Sequence, residues 1–253
     1  MRYNIYKYNK IEKAINLLKN KGFLLFLVEL TRYVKFKIID EQLLYYYFKK
    51  FKSNGKFNYN GNYLPYFQHK YNIAYLNERA VEVSIIKEII EKNKSKKILE
   101  VGNVMQHYLL LPSAYDILDK YEKGKNVINI DVVDYHPKFK YDLIVSISTI
   151  EHIGFDDDEQ RPGKIIDAVQ KLSSMLEKGG KFIFTVPLGY NKHLDKMIKE
   201  KKINFDELHL FKKISKDNLW VEEDLSKINN ITFKYDFPYR NANWLLVAII
   251  RCN

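Results

Sequence analysis

Between residues 96 and 187 the chain presents short apolar runs at close intervals, several of them ending on a carboxylate or a glycine. The runs are KKILEVG (96–102), YDILD (115–119), NVINID (126–131), YDLIVSIS (141–148) and KFIFTVP (181–187). Runs of this length, apolar on successive positions, are strands buried on both faces, and such a sheet needs helices on its two sides. One helix is predicted over PGKIIDAVQKLSSMLEK (162–178). It opens on Pro162, carries Ile165, Ile166, Val169, Leu172, Met175 and Leu176 along one side, and stops at Gly179-Gly180. A second is predicted from Asn77 to Asn93, with Val81, Val83, Ile85, Ile86, Ile89 and Ile90 as its buried face. ITFKY (231–235) and WLLVAII (244–250) are close enough to pair as a hairpin. The expected fold class is α/β.

The N-terminal quarter differs. Residues 10–20 and 22–52 read as helices with a break at Lys21-Gly22, and 53–63, SNGKFNYNGNY, reads as a linker. Residues 1–56 carry 13 Lys/Arg against 4 Asp/Glu, whereas from residue 96 onward there are 24 against 23. Almost all of the net charge of +11 therefore sits in this quarter. The division expected is a basic helical appendage over 1–62 and a larger domain over 63–253, with 63–83 as a lid segment. A basic, Tyr- and Phe-rich helix suits an anionic membrane surface or a partner protein, and it equally suits packing on the rest of the chain. The near-neutral body argues against a nucleic-acid track. A single cysteine, Cys252, excludes a disulfide framework, and the six-residue apolar run Phe23 to Val28 is too short to span a bilayer. MRYNIYKYNK has no apolar segment of the signal-peptide kind, so a soluble cytoplasmic protein is expected.

In open α/β sheets ligands bind beyond the carboxyl ends of the strands, and polar residues cluster at those ends here. The first run closes on Glu100-Val101-Gly102-Asn103, where glycine lets the backbone approach a ligand. Asp119 stands 17 residues after Gly102, the spacing at which a nucleoside-binding sheet places an acid for two ribose hydroxyls. Asp131, followed by Val132, is placed to accept from an adenine amino group. The fourth run leads through Ser146 and Ser148 to Glu151-His152.

At this point the chain resembles the class I S-adenosylmethionine-dependent methyltransferases. ILEVGN, YDILD, NVINIDVVD, YDLIVSISTIEHIG and LEKGGKFIFTVPLG are similar to successive motifs of that family, over roughly residues 96–250. Within it, YFQHKYNIAYLNERAVEV (66–83), VGNVMQHY (101–108) and VPLGYN (186–191) resemble methyltransferases of bacterial and archaeal surface-glycan and capsule gene clusters. The resemblance implies a Rossmann-like seven-stranded mixed sheet with a reversed last strand. It also implies S-adenosyl-L-methionine as cofactor, S-adenosyl-L-homocysteine as product, and a hydroxyl or phosphate-type oxygen on a small or glycan-linked molecule as acceptor. The chain departs from the family in its first loop, where Gly102 stands in place of three glycines.

The resemblance places Glu100, Gly102, Asn103, Asp119, Asp131, Val132, Ser146, Ser148 and Tyr71 at the cofactor. Tyr190, Asn191, His193, Asn72 and Arg79 then fall to the substrate. His152 is the expected base or, alternatively, a capping histidine; Glu151 orients it, holds the cofactor amine, or caps a helix. For an anionic acceptor no base is needed, and Lys192, His193, Tyr71 and Arg79 become its charge partners. No metal is expected, because His69 and His209 lack zinc spacing and the run Asp156-Asp157-Asp158-Glu159 reads as a solvated loop. The alternative from another class is a non-catalytic methyltransferase-like scaffold that works through its basic helices.

Overall fold

The computed structural model describes residues 23–52, 55–109, 111–157 and 159–252. The helix expected over 10–20, and Asp158, lie outside them. Helix α1 (Phe23–Lys35) continues through wider turns over Phe36–Leu44 into α2 (Tyr45–Phe51). A hairpin of β1 (Lys56–Tyr59) and β2 (Asn62–Pro65) follows, then α3 (Arg79–Lys92), β3 (Ile98–Val101), β4 (Tyr115–Leu118), β5 (Val127–Ile128) and β6 (Tyr141–Ile147). The chain ends with α4 (Lys164–Ser174), β7 (Leu176–Leu188), α5 (Lys192–Lys199), β8 (Glu207–Lys213), β9 (Trp220–Glu223) and β10 (Trp244–Arg251).

The main sheet has eight strands in the order β5-β4-β3-β6-β7-β10-β8-β9. Pairing is parallel from β5 to β7 and antiparallel at β7–β10, β10–β8 and β8–β9. This is a Rossmann-like mixed sheet, with the strand order reversing between β3 and β6. It has one strand more than expected, the edge strand β9. Alternate residues of the central strands feed two cores. Ile144, Phe182 and Leu246 pack with Ile165, Ala168, Val169 and Leu172 of α4, whereas Leu143, Val145, Ile183 and Val247 pack with Val81, Ile85 and Ile86 of α3. α4 buries positions at helical spacing, as its sequence requires. α3 is buried nearly all round, and that burial includes Glu82 and Ser84.

Three expectations are corrected. The helix expected over 162–178 ends at Ser174, because Leu176 already opens β7 and Gly179-Gly180 lie within that strand. Residues 231–235 form no strand; both edges of β10 are already taken by β7 and β8, so ITFKY has no edge to pair with. Phe233 instead packs on Trp244, with ring centroids 5.9 Å apart. The segment expected as a linker contains the β1–β2 hairpin, with Phe57 2% exposed and edge-on to Phe211 at 6.0 Å. Among the described residues no helix is long and apolar enough to cross a membrane.

Candidate functional site

The carboxyl ends of β3, β4 and β6 open onto one cleft, and the first loop forms its floor. Glu100 does not reach this cleft. It is fully buried, accepting from the backbone N–H groups of Val104 (2.9 Å) and Met105 (2.7 Å) and from the Tyr115 hydroxyl (3.0 Å). Its role in the structure is to pin the loop from beneath, and burial pushes its carboxyl up to about 7. Gly102 has φ +88, and a Cβ there would lie 2.1 Å from Thr149 Oγ1, so the loops after β3 and β6 lie against each other.

Asp119 lines the cleft but is largely engaged by its own surroundings. Its Oδ2 accepts from Asn103 N (3.1 Å), and its Oδ1 accepts from Tyr121 N (2.8 Å) and Glu122 N (2.7 Å). Asn103 Nδ2 and His107 Nε2 both meet Glu122 Oε1, at 2.9 and 2.8 Å. An adjoining cavity runs from Gly102 and Asp119 to Asp131 and Val132. There Asp131 accepts from Lys164 (2.6 Å) and Val133 N (3.3 Å) and pairs with Lys120 (3.0 Å). Burial works against ionisation of Asp131, yet Lys164 and Lys120 hold its carboxyl below the ordinary range. Asp157 is bound by the same two lysines and by Tyr121. The expected solvated acid loop is thus corrected for Asp156 and Asp157, which are half-buried partners of this network and of His152.

At the end of β6, Ser146 is fully buried and its hydroxyl donates to Val101 O (2.8 Å), which takes it out of the site. Ser148, at φ +40, lines the cleft and donates to Glu82, as does Thr185 (2.7 Å). Arg79 Nη1 donates to Ile147 O (3.1 Å) and lies 3.4 Å from Glu82. Burial opposes the charge on Arg79, but Glu82 keeps the guanidinium pKa above its ordinary value. Glu151 is 1% exposed and lines the cleft; burial, reinforced by Glu82, drives its carboxyl well above the usual carboxylate range. His152 lies beside it with Nδ1 on Asp156 and Nε2 3.4 Å from Glu151, and Tyr190 stands edge-on at 4.8 Å. Burial lowers the His152 pKa despite Asp156, which favours the neutral imidazole.

The segment after β2 forms the opposite wall. Tyr71 stacks on His107 at 4.8 Å, and Asn72, at φ +50, stands next to it. The other side of the segment packs on the N-terminal helix, through Ile73 and Tyr75 against Phe48. Tyr190 reaches the cleft, its hydroxyl donating to Asp156 (3.1 Å). Asn191 and His193 do not. Asn191 caps α5, accepting from His193 N and Leu194 N while its amide donates to Glu151 O (2.7 Å); His193 and Lys192 are exposed beyond the cleft. An N-cap asparagine just past a strand is a local signal that was available in GYNKHL. Glu122, Lys120 and Lys164 were not anticipated, nor was Glu82 as the acceptor for Ser148 and Thr185. Glu82 is one polar position in an apolar helix, and that anomaly was the signal to follow.

No family model matches the sequence, and no curated protein matches it. Among solved structures the chain is similar to the N-methyltransferase NodS from Bradyrhizobium japonicum WM9 in complex with S-adenosyl-L-homocysteine. That likeness has 12% identity and TM-score 0.42, and covers 69% of this chain and 87% of that one. A possible histamine N-methyltransferase from Thermotoga maritima shows 15% identity over 69% of this chain and 93% of its own, at TM-score 0.37. An rRNA methylase from Streptococcus thermophilus shows 10% identity over 68% and 97%, at TM-score 0.39.

Proposed function

We propose that this protein is an S-adenosylmethionine-dependent methyltransferase acting on a small acceptor. The observation that carries this reading is the convergence of Gly102, Asp119 and Glu122 at adjacent strand ends, on a cleft that continues to Asp131 and Val132. The residues fit an adenosyl group with one adjustment. Three backbone donors leave Asp119 about one of its roughly four acceptor positions, so it takes one ribose hydroxyl rather than two. Glu122, next to it, offers Oε2 for the second. Gly102 gives close backbone approach, and Tyr71 stacked on His107 supplies an aromatic wall.

The cofactor, when bound, supplies an electrophilic methyl on a sulfonium that leaves as a neutral thioether and needs no acid. What the protein adds is alignment and, for a hydroxyl acceptor, a base. His152 suits that role: Asp156 fixes Nδ1, and burial favours the uncharged ring, with Nε2 toward Glu151. A hydroxyl-bearing glycan or small-molecule acceptor, as in surface-polysaccharide modification, fits better than a phosphate. The expected anion partners Lys192 and His193 lie off the cleft, and Arg79 is engaged by Glu82 and Ile147. Equilibrium dialysis with labelled S-adenosylmethionine tests the reading. Asp119→Ala should weaken binding by ~1–3 kcal/mol, with the fold checked by circular dichroism. Equal binding by both proteins overturns the placement.

One observation favours the scaffold alternative. α1 has no buried residue, and Phe23, Leu24, Leu30 and Tyr33 on it are exposed. A scaffold would bind its partner with a steep salt dependence and show no response to the methyl donor.

A further inference from the structure

The cleft has a second end. Gly102 and Asp119 reach it from β3 and β4, whereas Pro187, Tyr235 and Asn241 reach it from β7 and the segment before β10, and β10 stands three places from β3 in the sheet. Asn241 is 5% exposed, and its buried Nδ2 has no hydrogen-bond partner among the described residues. Three other buried asparagines of this region have both ends of the carboxamide engaged. Asn77 accepts from Arg79 N (3.1 Å) and donates to Asn72 O (2.9 Å). Asn218 accepts from Trp220 Nε1 (2.8 Å) and donates to Asn77 O (2.9 Å). Asn243 accepts from Tyr239 N (3.0 Å) and donates to Tyr239 O (2.8 Å). The loop does not need the Asn241 side chain for its shape. Asn241 N donates to Asp236 Oδ1 (2.6 Å) and Asp236 N donates to Asn241 O (2.9 Å), and φ +66 suits glycine as well as asparagine. A buried N–H group without an acceptor has lost its solvation for nothing in return, so an acceptor brought by a ligand is its physical account.

Glu78 lines the same end and is tied to the residue after Asn241. Its Oε2 accepts from Ala242 N (3.2 Å) and its Oε1 from the Tyr235 hydroxyl (3.4 Å). One donor on each oxygen leaves Glu78 about two of roughly four acceptor positions. Its charge is offset from within by the buried ammonium of Lys213, which donates to Leu76 O (3.0 Å) and Arg240 O (3.1 Å). Tyr190 and Tyr235 stand edge-on to each other here, with ring centroids 5.6 Å apart. A phosphate or carboxylate would meet Glu78, and an ammonium would meet the Asn241 amide donor to donor. An uncharged saturated ring with hydroxyls answers every feature. One hydroxyl accepts from Asn241 Nδ2, a second donates to Glu78, and the apolar face of the ring packs on the tyrosines. We propose that Asn241 and Glu78 form a recognition subsite for adjacent hydroxyls on a saturated ring. Naming that ligand the methyl acceptor rests on the methyl-transfer reading above; the subsite itself does not.

Amide-detected NMR and calorimetry on the native protein, Asn241→Gly and Asn241→Asp test this. Glycine adopts φ +66, so Asn241→Gly removes the carboxamide and keeps the loop, while Asn241→Asp keeps the shape and loses the donor. The ligands are the methyl α- and β-glycosides of glucose, galactose and mannose, with cyclohexanol, inorganic phosphate and n-butylamine as controls. S-adenosylhomocysteine is titrated separately. At least one glycoside should bind the native protein more tightly than every control and move the Asn241 side-chain amide signals. Both variants should bind it about fivefold or more weakly. The proposal is overturned if no glycoside binds, if a control matches the best glycoside, or if the variants bind it as the native protein does. Because the native protein alone compares glycosides with controls, the test survives a variant that folds poorly. If S-adenosylhomocysteine binds and the glycosides fail, the subsite falls and the methyl-transfer reading stands. If glycoside binding depends on Asn241 while S-adenosylhomocysteine does not bind, the methyl-transfer reading falls and the subsite stands.

Discussion

Gly102 joins a backbone conformation to a packing contact. Its φ of +88 is strained for any side chain, and a Cβ would meet Thr149 Oγ1 at 2.1 Å. Gly102→Ala is therefore expected to lose about 1–2 kcal/mol from the dihedral and a further ~1–3 kcal/mol from the clash. Gly61→Ala, at φ +77 with nothing within 4 Å, should lose only the first part; thermal melts of the two variants measure the difference. The need for glycine at 102 was legible in ILEVGN, whereas Thr149 as its neighbour was not, because only the folded sheet brings β3 and β6 side by side. Glu100 adds a pH signature. Folded, it keeps its proton up to about pH 7, while the unfolded carboxyl loses it near its ordinary value of 4.5. In that interval the folded form binds more protons, so stability falls as pH rises from 4.5 to 7, by on the order of 3 kcal/mol. Asp195, pushed up to about 6 by burial, adds a fall in the same direction. Glu100→Gln keeps an acceptor for Val104 N and Met105 N, and it should flatten the fall in denaturant titrations between pH 5 and 7.5. A fall of unchanged size in the variant contradicts this assignment.

At the scale of elements, what the sequence revealed and what it hid divide by pattern. β3, β6 and β7 are buried on both faces and read directly as apolar runs. β8 was hidden because His209 and Lys213 are buried within it; Lys213 donates to Leu76 O and Arg240 O, and burial lowers its pKa to about 8. The β1–β2 hairpin was hidden because Asn and Gly dominate its turn, although Phe57 anchors it. The N-terminal helices also divide in two. α1 buries nothing, whereas Phe48 of α2 packs on Ile73 and Tyr75, and the Tyr75 hydroxyl donates to Asp40 O. Replacing Leu24 and Leu30 of α1 together by Ala should leave melting temperature and nucleoside affinity nearly unchanged. Phe48→Ala should cost up to about 3 kcal/mol locally. It should speed amide exchange over residues 71–77 and weaken S-adenosylhomocysteine binding through the Tyr71–Asn72 wall. Hydrogen exchange and calorimetry on the two variants check this, and the opposite ranking would detach the wall from α2.

For the whole molecule, the charge division read from the sequence has a structural counterpart. The cationic quarter holds an exposed helix, and the near-neutral body holds a cleft walled by glutamates. The sheet was legible as α/β with its ligand face at the strand ends, since that follows from apolar runs alternating with helices. The acid wall was not. Glu78 enters it just before α3, Glu151 from the loop after β6 and Glu122 from the loop after β4, so no local pattern joins them. Several residues expected at the cofactor, among them Glu100 and Ser146, instead brace the backbone that shapes the cleft. The central claim is that this cleft binds an S-adenosyl nucleoside, and calorimetric titration of the native protein with S-adenosylhomocysteine tests it most directly. One molecule bound per chain, with binding weakened when Gly102 or Asp119 is replaced in a folded protein, is the predicted result; no heat of binding to a protein shown to be folded would contradict it.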